Sequence, residues 1–504
     1  MIKYIYFNTN ENHWFDVANK LYKEKIAEPI LWLGDDVHYK KAYKVFGENV
    51  VKSLNMVHRP YEFSNTDYEG QNQKFIFSEN YYRSKDICLK MMDRLDLYGL
   101  FTRLDRESYF HNLVIWALKK IHDLKPDVLI CVESPHDHPK YVIYEICNFL
   151  KIPIYKFHTW TLAPLLYLKN MESDETFNIK YDSLSKFNKI SDKDIINHIN
   201  KVKKSGIKYS PEFMKIHKRN QSLIGQLKNL FISDYGRPTF FRSIYLDIRH
   251  NTGRLLKRRY NPINPHYLGF FLRKRIMFFR RKNLNKAASI VTSKRDLSKE
   301  YVFFPLHFEP ERTSNPDGRE FHDHFIVISK LRELIPSQVA IYVKEHPNQL
   351  RSYIKKGVNG RSPLFYKLVN NIKNVHFLDH SYDQIELIKK SKFVITITGT
   401  VALEAAILGK KSLIFGSTYY DGCPNIFKWN KKFNYNKFIN YKVKSSKAVE
   451  EFLLQKKHKT CVPGFQNGSC RSYFKDYDSK DFNKFQNEKI FLLLKEFFKS
   501  LKSK

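Results

Sequence analysis

Nowhere in these 504 residues do about 18 apolar side chains follow one another, and the amino terminus MIKYIYFNTNENHW has no basic region leading into a signal-type apolar stretch. Neither a membrane-spanning helix nor a secretory leader is expected. Cysteine is scarce. The six (Cys88, Cys131, Cys147, Cys423, Cys461, Cys470) lack metal-ligand spacing and several sit in apolar runs, which points to buried thiols in a reducing cytoplasm rather than disulfides or zinc ligands. Acidic residues are missing altogether between Asp247 and Asp296. No internal repeat and no long low-complexity tract occurs.

What is present in excess is positive charge, a formal +36, together with 15% aromatic residues. In the acid-free stretch Lys257, Arg258, Arg259, then Arg273, Lys274, Arg275, then Arg280, Arg281, Lys282 alternate with Phe270, Phe271, Ile276, Met277, Phe278 and Phe279. Cations beside large apolar side chains suit an anionic membrane surface, the first meeting headgroups and the second the acyl boundary. A solvated basic face or oligomer contact is the plainer reading. Nucleic acid is disfavoured, because no recognisable nucleic-acid motif accompanies the charge.

The length exceeds what one hydrophobic core usually supports. Strand-like runs alternate with helical patterns at both ends of the chain, which predicts two Rossmann-like α/β domains with parallel sheets. The expected divisions are a first domain over 1–172, a linker and basic aromatic segment over 173–298, a second domain over 299–470 and a helical tail over 471–504. In open α/β sheets ligands sit outside the carboxyl ends of the strands, so residues ending the strands deserve most weight.

Three such ends stand out in the second half: YVFFPLHFEPE from Tyr301, YVKEHPNQ from Tyr342, and FVITITGTVALEAAILGKKSLIFG from Phe393. Pro347 forces His346 away from the helical region and holds its imidazole at a sheet edge, with Lys344 and Arg361 adding charge. Thr398, Gly399 and Thr400 form a turn between a strand and a helix, a place where free N–H groups and a helix dipole can hold a phosphate. Glu404 could cap amides or accept from ribose hydroxyls. The trios His136–Asp137–His138 and His322–Asp323–His324 are read as surface residues rather than metal ligands, and Asp476–Tyr477–Asp478 as a chance DxD.

HFEPE, KEHP, the TITGT turn with Glu404 after it, and GKKSLIFG together resemble the carboxyl-terminal domain of bacterial capsule and surface-polysaccharide biosynthesis proteins, the group that includes the capsule Kdo transferases. The resemblance implies a GT-B glycosyltransferase with a nucleotide-sugar donor on the second domain, an acceptor on the first and no essential metal or other cofactor. It carries His346, Pro347 and the Thr398, Gly399, Thr400 turn over to a nucleotide site, with a CMP-linked donor favoured; His307, Glu309, Lys344 and Glu404 join them as candidates from the same motifs. His307–Pro310 reads HFEP where the Kdo enzymes are expected to have a glutamine-proline pair, which leaves the sugar open. Transfer through an oxocarbenium-like state needs a base or nucleophile from the first domain, and Glu133, His136, Asp137 and His158 end two of its strands. The expectation is a cytoplasmic, membrane-peripheral enzyme acting on a lipid-linked glycan. The alternatives are a sugar-nucleotide epimerase of the same fold and a non-catalytic polysaccharide-assembly or nucleic-acid-binding protein.

Overall fold

A computed structural model describes residues 1–34, 36–52, 73–95, 102–179, 185–204, 267–350, 355–471, 474 and 477–503. Two seven-stranded sheets carry the fold. The first is built from β1 (Ile2–Phe7), β2 (Ala27–Gly34), β3 (Val50–Lys52), β4 (Val128–Cys131), β5 (Ile154–Thr159), β6 (Leu165–Asn170) and, from far along the chain, β14 (Val462–Pro463). Its order is β14-β6-β5-β4-β1-β2-β3, parallel from β5 to β3, with the β5–β6 and β6–β14 pairings antiparallel. The second contains β7 (Thr292–Ser293), β8 (Tyr301–Pro305), β9 (Ala340–Lys344), β10 (Val375–Leu378), β11 (Phe393–Thr396), β12 (Lys411–Ile414) and β13 (Ile426–Lys428). It runs β13-β12-β11-β8-β9-β10-β7 and its pairings are all parallel. This is the GT-B arrangement of two Rossmann-like domains.

Alternation along β1 explains why the first sheet is buried on both faces. Ile5 and Phe7 join Leu31, Leu33, Leu129 and Cys131 under the helices Glu79–Leu95, Arg103–Leu124 and His138–Phe149. Tyr4 and Tyr6 join Trp32, Val128 and Ile130 on the other side, against Asn12–Lys23 and the final helix Lys480–Lys502. That last helix places Ile490, Phe497 and Phe498 in the core, each almost wholly buried, and burial of each contributes about 1.5–3 kcal/mol. The chain therefore crosses back to the first domain. It does so at β14, earlier than the expected division at 470, because β14 adds to the edge strand β6.

The division at 298/299 also moves. The helix Tyr267–Val291 turns Leu284 and Ala288 into the second core, and β7 pairs with β10, so this segment belongs to the second domain. Residues 205–266, with Lys257, Arg258 and Arg259, lie outside the described part, as do the side chains of Phe270, Phe271, Arg273, Lys274, Arg275 and Phe278. Arg281 faces inward rather than toward solvent, whereas Ile276, Phe279 and Ile290 are exposed. Within the expected linker, Ser185 caps the helix Lys186–Lys203. Its Ile195, Ile199 and Val202 lie in one cluster with Trp160 and Tyr167 of the first domain and Leu403, Ala406 and Leu453 of the second, so it ties the two together.

Among the described residues no helix is long and apolar enough to cross a membrane. Five of the six cysteines are buried and Cys470 is partly so, all as free thiols.

Candidate functional site

In the second sheet the chain starts outward on one side with β8 and β9 and returns on the other with β11, so the topological switch point lies between β8 and β11. Both strands end there in hydrogen-bonding groups. The Thr398 N–H donates to His307 Nε2 at 3.3 Å, the Thr396 hydroxyl lies 3.0 Å from the same nitrogen, and the Gly399 N–H donates to Thr396 Oγ1 at 3.1 Å. Nε2 is thus the acceptor and the ring proton resides on Nδ1. Burial, with Arg361 nearby, lowers the His307 pKa to about 4, so the imidazole is neutral at physiological pH.

This corrects the expectation of a turn with free amides. Thr398 and Gly399 spend theirs inside the loop, and the helix that follows, Val401–Ile407, has only seven residues. The groups left at its start are the amides of Thr400 and Val401, which have no acceptor within the helix. Gly416 lies directly beneath: a Cβ there would come within 2.3 Å of Thr398 Cγ2, so glycine suits the chain where it passes this turn after β12.

A second layer of buried polar residues fixes these loops. Arg361 donates from Nε to Glu345 Oε2 at 3.0 Å and from Nη2 to the His307 carbonyl at 3.0 Å, while the Tyr366 hydroxyl donates to Glu345 at 2.8 Å. Gln349 accepts from the Glu309 N–H at 2.8 Å and donates back to its carbonyl at 2.9 Å. Glu309 lies 3.4 Å from His324 Nδ1, and burial pushes its carboxyl up to about 7. His346 is half-buried, tilted 53° against Phe308 at 5.8 Å, and its Nδ1 accepts from the Asn348 N–H at 3.2 Å; Pro347 is exposed.

Two assigned residues point elsewhere. Lys344 Nζ donates to the Tyr382 carbonyl at 2.6 Å, and Glu404 is buried against Gln384, which donates to it at 2.9 Å. The first ties the end of β9 and the second the helix Val401–Ile407 to the β10–β11 connection, rather than presenting charge at the switch point.

Facing this edge, the first sheet has its own switch point between β1 and β4. Glu133, just past β4, accepts from Arg312 of the second domain at 3.4 Å and from the Asn467 amide at 3.1 Å, and lies 3.7 Å from His136 Nδ1. Burial would raise its pKa, but His136, Arg312 and Lys140 outweigh that and hold the carboxyl below its usual range. Beside it Lys156 donates to Ser134 Oγ at 2.9 Å and to Asp317 of the second domain at 3.0 Å, and Ser134 donates to the same carboxylate at 2.6 Å. Arg94 reaches the His136 carbonyl and, at 3.4 Å, that of Asn315.

Glu133 and His136 therefore meet at the domain seam. Asp137 does not: it caps the helix His138–Phe149 through the Lys140 N–H at 3.1 Å and lies 3.3 Å from the Lys140 amine. His158 stacks on Tyr167 at 5.1 Å, and burial beside Lys156 and Lys169 holds its pKa well below the usual value. The two histidine trios are not surface features. His138 packs edge-on to Tyr109 at 5.3 Å, and His324 Nε2 accepts from the His307 N–H at 3.1 Å; both rings are buried. No cluster of three or more His, Cys, Asp or Glu suited to a metal occurs among the described residues. Asp476 of the DxD lies outside them, and Asp478 accepts from Arg471 at 2.9 Å.

Arg312, Asp317, Lys156 and Asn467 were not singled out by sequence. Only Lys156 carried a signal, a lone cation inside the apolar strand IPIYKFHTW.

Residues 252–425 match the sequence model of a family described as capsule polysaccharide biosynthesis protein. Over that stretch the chain resembles this family. The match takes in the helix Tyr267–Val291 and β7 to β12, and leaves the first domain outside it. No curated protein matches the sequence. Among solved structures, KpsC of Thermosulfurimonas dismutans, a beta Kdo 2,7 transferase, is 12% identical over 67% of this chain and 90% of its own, with a TM-score of 0.25. The UDP-GlcNAc 2-epimerases of Methanocaldococcus jannaschii and Neisseria meningitidis are 14% and 12% identical, over 94% and 90% of this chain and 98% and 99% of theirs, with TM-scores of 0.22 and 0.21. Superpositions at these scores decide nothing about activity, and the fold rests on the sheet topology.

Proposed function

We propose that the protein is a glycosyltransferase of capsule or surface-polysaccharide synthesis, taking a sugar from a nucleotide donor held at the β8/β11 switch point and passing it to a glycan on the first domain. One observation carries the reading most: His307, Thr396 and the 398–400 turn converge at that point while an ion-paired carboxylate, Glu133, faces them across the seam. In this scheme the His307 Nδ1–H and the amides of Thr400 and Val401 hold the donor phosphate. Arg312, next to Thr313 whose carbonyl accepts from the Thr398 hydroxyl at 2.7 Å, meets the charge that grows on the leaving group. Glu133 takes the proton of the acceptor hydroxyl, or attacks the anomeric carbon itself, as the bond from that carbon to the phosphate oxygen breaks and its electron pair leaves with the nucleotide.

A CMP-activated ulosonic acid such as Kdo is the favoured donor, on the family resemblance, with a lipid-linked acceptor and no metal. Attachment to an anionic membrane completes the proposal. It is supported by exposed Ile276 and Phe279 beside exposed Arg280 and Lys282, and by exposed Leu364 and Leu368 on the helix Pro363–Asn370 that packs against theirs. A thermal-shift panel of CMP, UDP, GDP and dTDP tests the donor site, since a bound nucleotide raises the melting temperature by mass action. CMP is expected to give the largest rise. No rise with any of the four would overturn the reading, and conversion of a nucleotide sugar without an acceptor would favour an epimerase.

A further inference from the structure

Beside the phosphate turn lies a cavity of about 330 Å³ that the scheme above leaves unused. Its walls include Arg83, Tyr141, Tyr144 and Glu145 of the first domain, and it reaches Lys156 and Asp317 at the seam. Ser417 lines one side, next in sequence to Gly416 under Thr398, so the cavity borders the loop that carries the phosphate turn.

Its chemistry is specific in three ways. The partly exposed Tyr144 lines the cavity, backed by the buried ring of Tyr141 with centroids 5.7 Å apart and 28° between planes, which gives one wall aromatic character. The charges come as acid–base pairs: Arg83 donates to Glu145 Oε2 at 3.1 Å and Lys156 to Asp317 at 3.0 Å, so the lining is polar but close to neutral. The Tyr141 hydroxyl donates to Glu145 Oε1 at 2.7 Å, which fixes that carboxylate against the ring. A free phosphate would have to face four carboxylates here, Glu145, Glu172, Asp317 and Glu320. Sugar hydroxyls, each donor and acceptor at once, fit a wall of alternating carboxylates and cations, and the C–H face of a pyranose fits an aromatic one. The volume is at the low end of the roughly 300–1,000 Å³ range of small-ligand sites, suited to one or two sugar rings.

We propose that this cavity seats a sugar ring of the acceptor glycan, an inference that rests on the glycosyl-transfer reading and gives it a specific acceptor subsite. The first domain supplies the aromatic wall, and the donor phosphate is anchored on the second, so the two ligands would approach one another at the seam beside Lys156 and Asp317. The cavity exists only while both domains are together.

Saturation-transfer NMR on the full chain tests it, with N-acetylglucosamine, galactose and Kdo as free monosaccharides and CMP in a separate arm. At least one monosaccharide is expected to show ring C–H signals that fall at least about fivefold in Tyr144→Ala and in Arg83→Ala and persist when CMP is saturating. The CMP signals are expected to be the same in wild type and variants. Arg83 is half-exposed, so its variant keeps the test meaningful if Tyr144→Ala fails to fold. The proposal is overturned if no monosaccharide gives a signal, if the variants leave it unchanged, if CMP suppresses it, or if the variants remove CMP binding instead. Absence of CMP signals alone, with the sugar pattern as expected, would remove the CMP donor and leave the cavity assigned.

Discussion

Replacing Arg312 by Met should move the titration of Glu133 and expose its role in turnover. The guanidinium stands 3.4 Å from the carboxylate at a buried seam. At an effective dielectric of about 20 the Coulomb attraction at that distance is on the order of 5 kcal/mol, and rearrangement around the new side chain cancels part of it. Each 1.36 kcal/mol is one pKa unit, so survival of about a third of that attraction raises the Glu133 pKa by roughly one unit. In the wild type Glu133 lies below the usual carboxylate range, and kcat/KM should be flat from about pH 5 upward on its acid side. The Arg312→Met enzyme should instead begin to lose rate on the acid side about one pH unit higher than the wild type, whatever its maximal rate, and Arg312→Lys should restore most of the flat region. The measurement is initial-rate nucleotide release from the donor sugar at closely spaced pH values. A variant that is slower by the same factor at every pH would refute the reasoning, because Arg312 would then act on the donor without touching the ionisation of Glu133.

Other outcomes follow from the same geometry. Glu309, raised by burial to about 7 from 4.5, keeps its proton longer in the folded chain than in the unfolded one, so its contribution to stability is full below about pH 4.5 and is lost as pH rises through 7. Glu309→Gln should accordingly gain stability over wild type between urea midpoints at pH 5 and pH 8, by up to about 3 kcal/mol, and an equal difference at both pH values would contradict it. Lys156→Met leaves Asp317 at the seam without its cation and should cost about 3 kcal/mol. Adding Asp317→Asn should recover at least about 1 kcal/mol in denaturant titrations, whereas simple additivity would mean the pair does not couple the domains. Ile276→Ser with Phe279→Ser should reduce sedimentation with anionic vesicles and leave the melting temperature unchanged, since both side chains are exposed; undiminished binding would show that these side chains do not enter the membrane.

Strand-and-helix alternation made both sheets legible, because a parallel strand buried on two faces must read as a short apolar run, as VLIC and FVIT do. The ends of those runs also marked His307, Glu133 and the 398–400 turn. Illegible were the contacts that depend on how two domains meet. Arg312 and Asp317 sit in a polar loop, ERTSNPD, whose composition says only that it is a loop, and their partners lie about 160 to 180 positions away in sequence. The return of the chain at β14 was hidden for a related reason: a two-residue strand has no periodicity to read. Asp137 and Glu404 were overweighted because a carboxylate near a helix start has the same sequence signature whether it caps the helix, meets a neighbouring side chain or binds a ligand.

Isothermal titration of CMP into the wild type and into His307→Ala tests the central claim, that the β8/β11 switch point holds the donor nucleotide. A hydrogen bond to a charged phosphate is worth about 1.5–3 kcal/mol, so the variant should bind roughly ten- to a hundredfold more weakly with a similar melting temperature. Equal affinity in the two proteins, both folded, would contradict it.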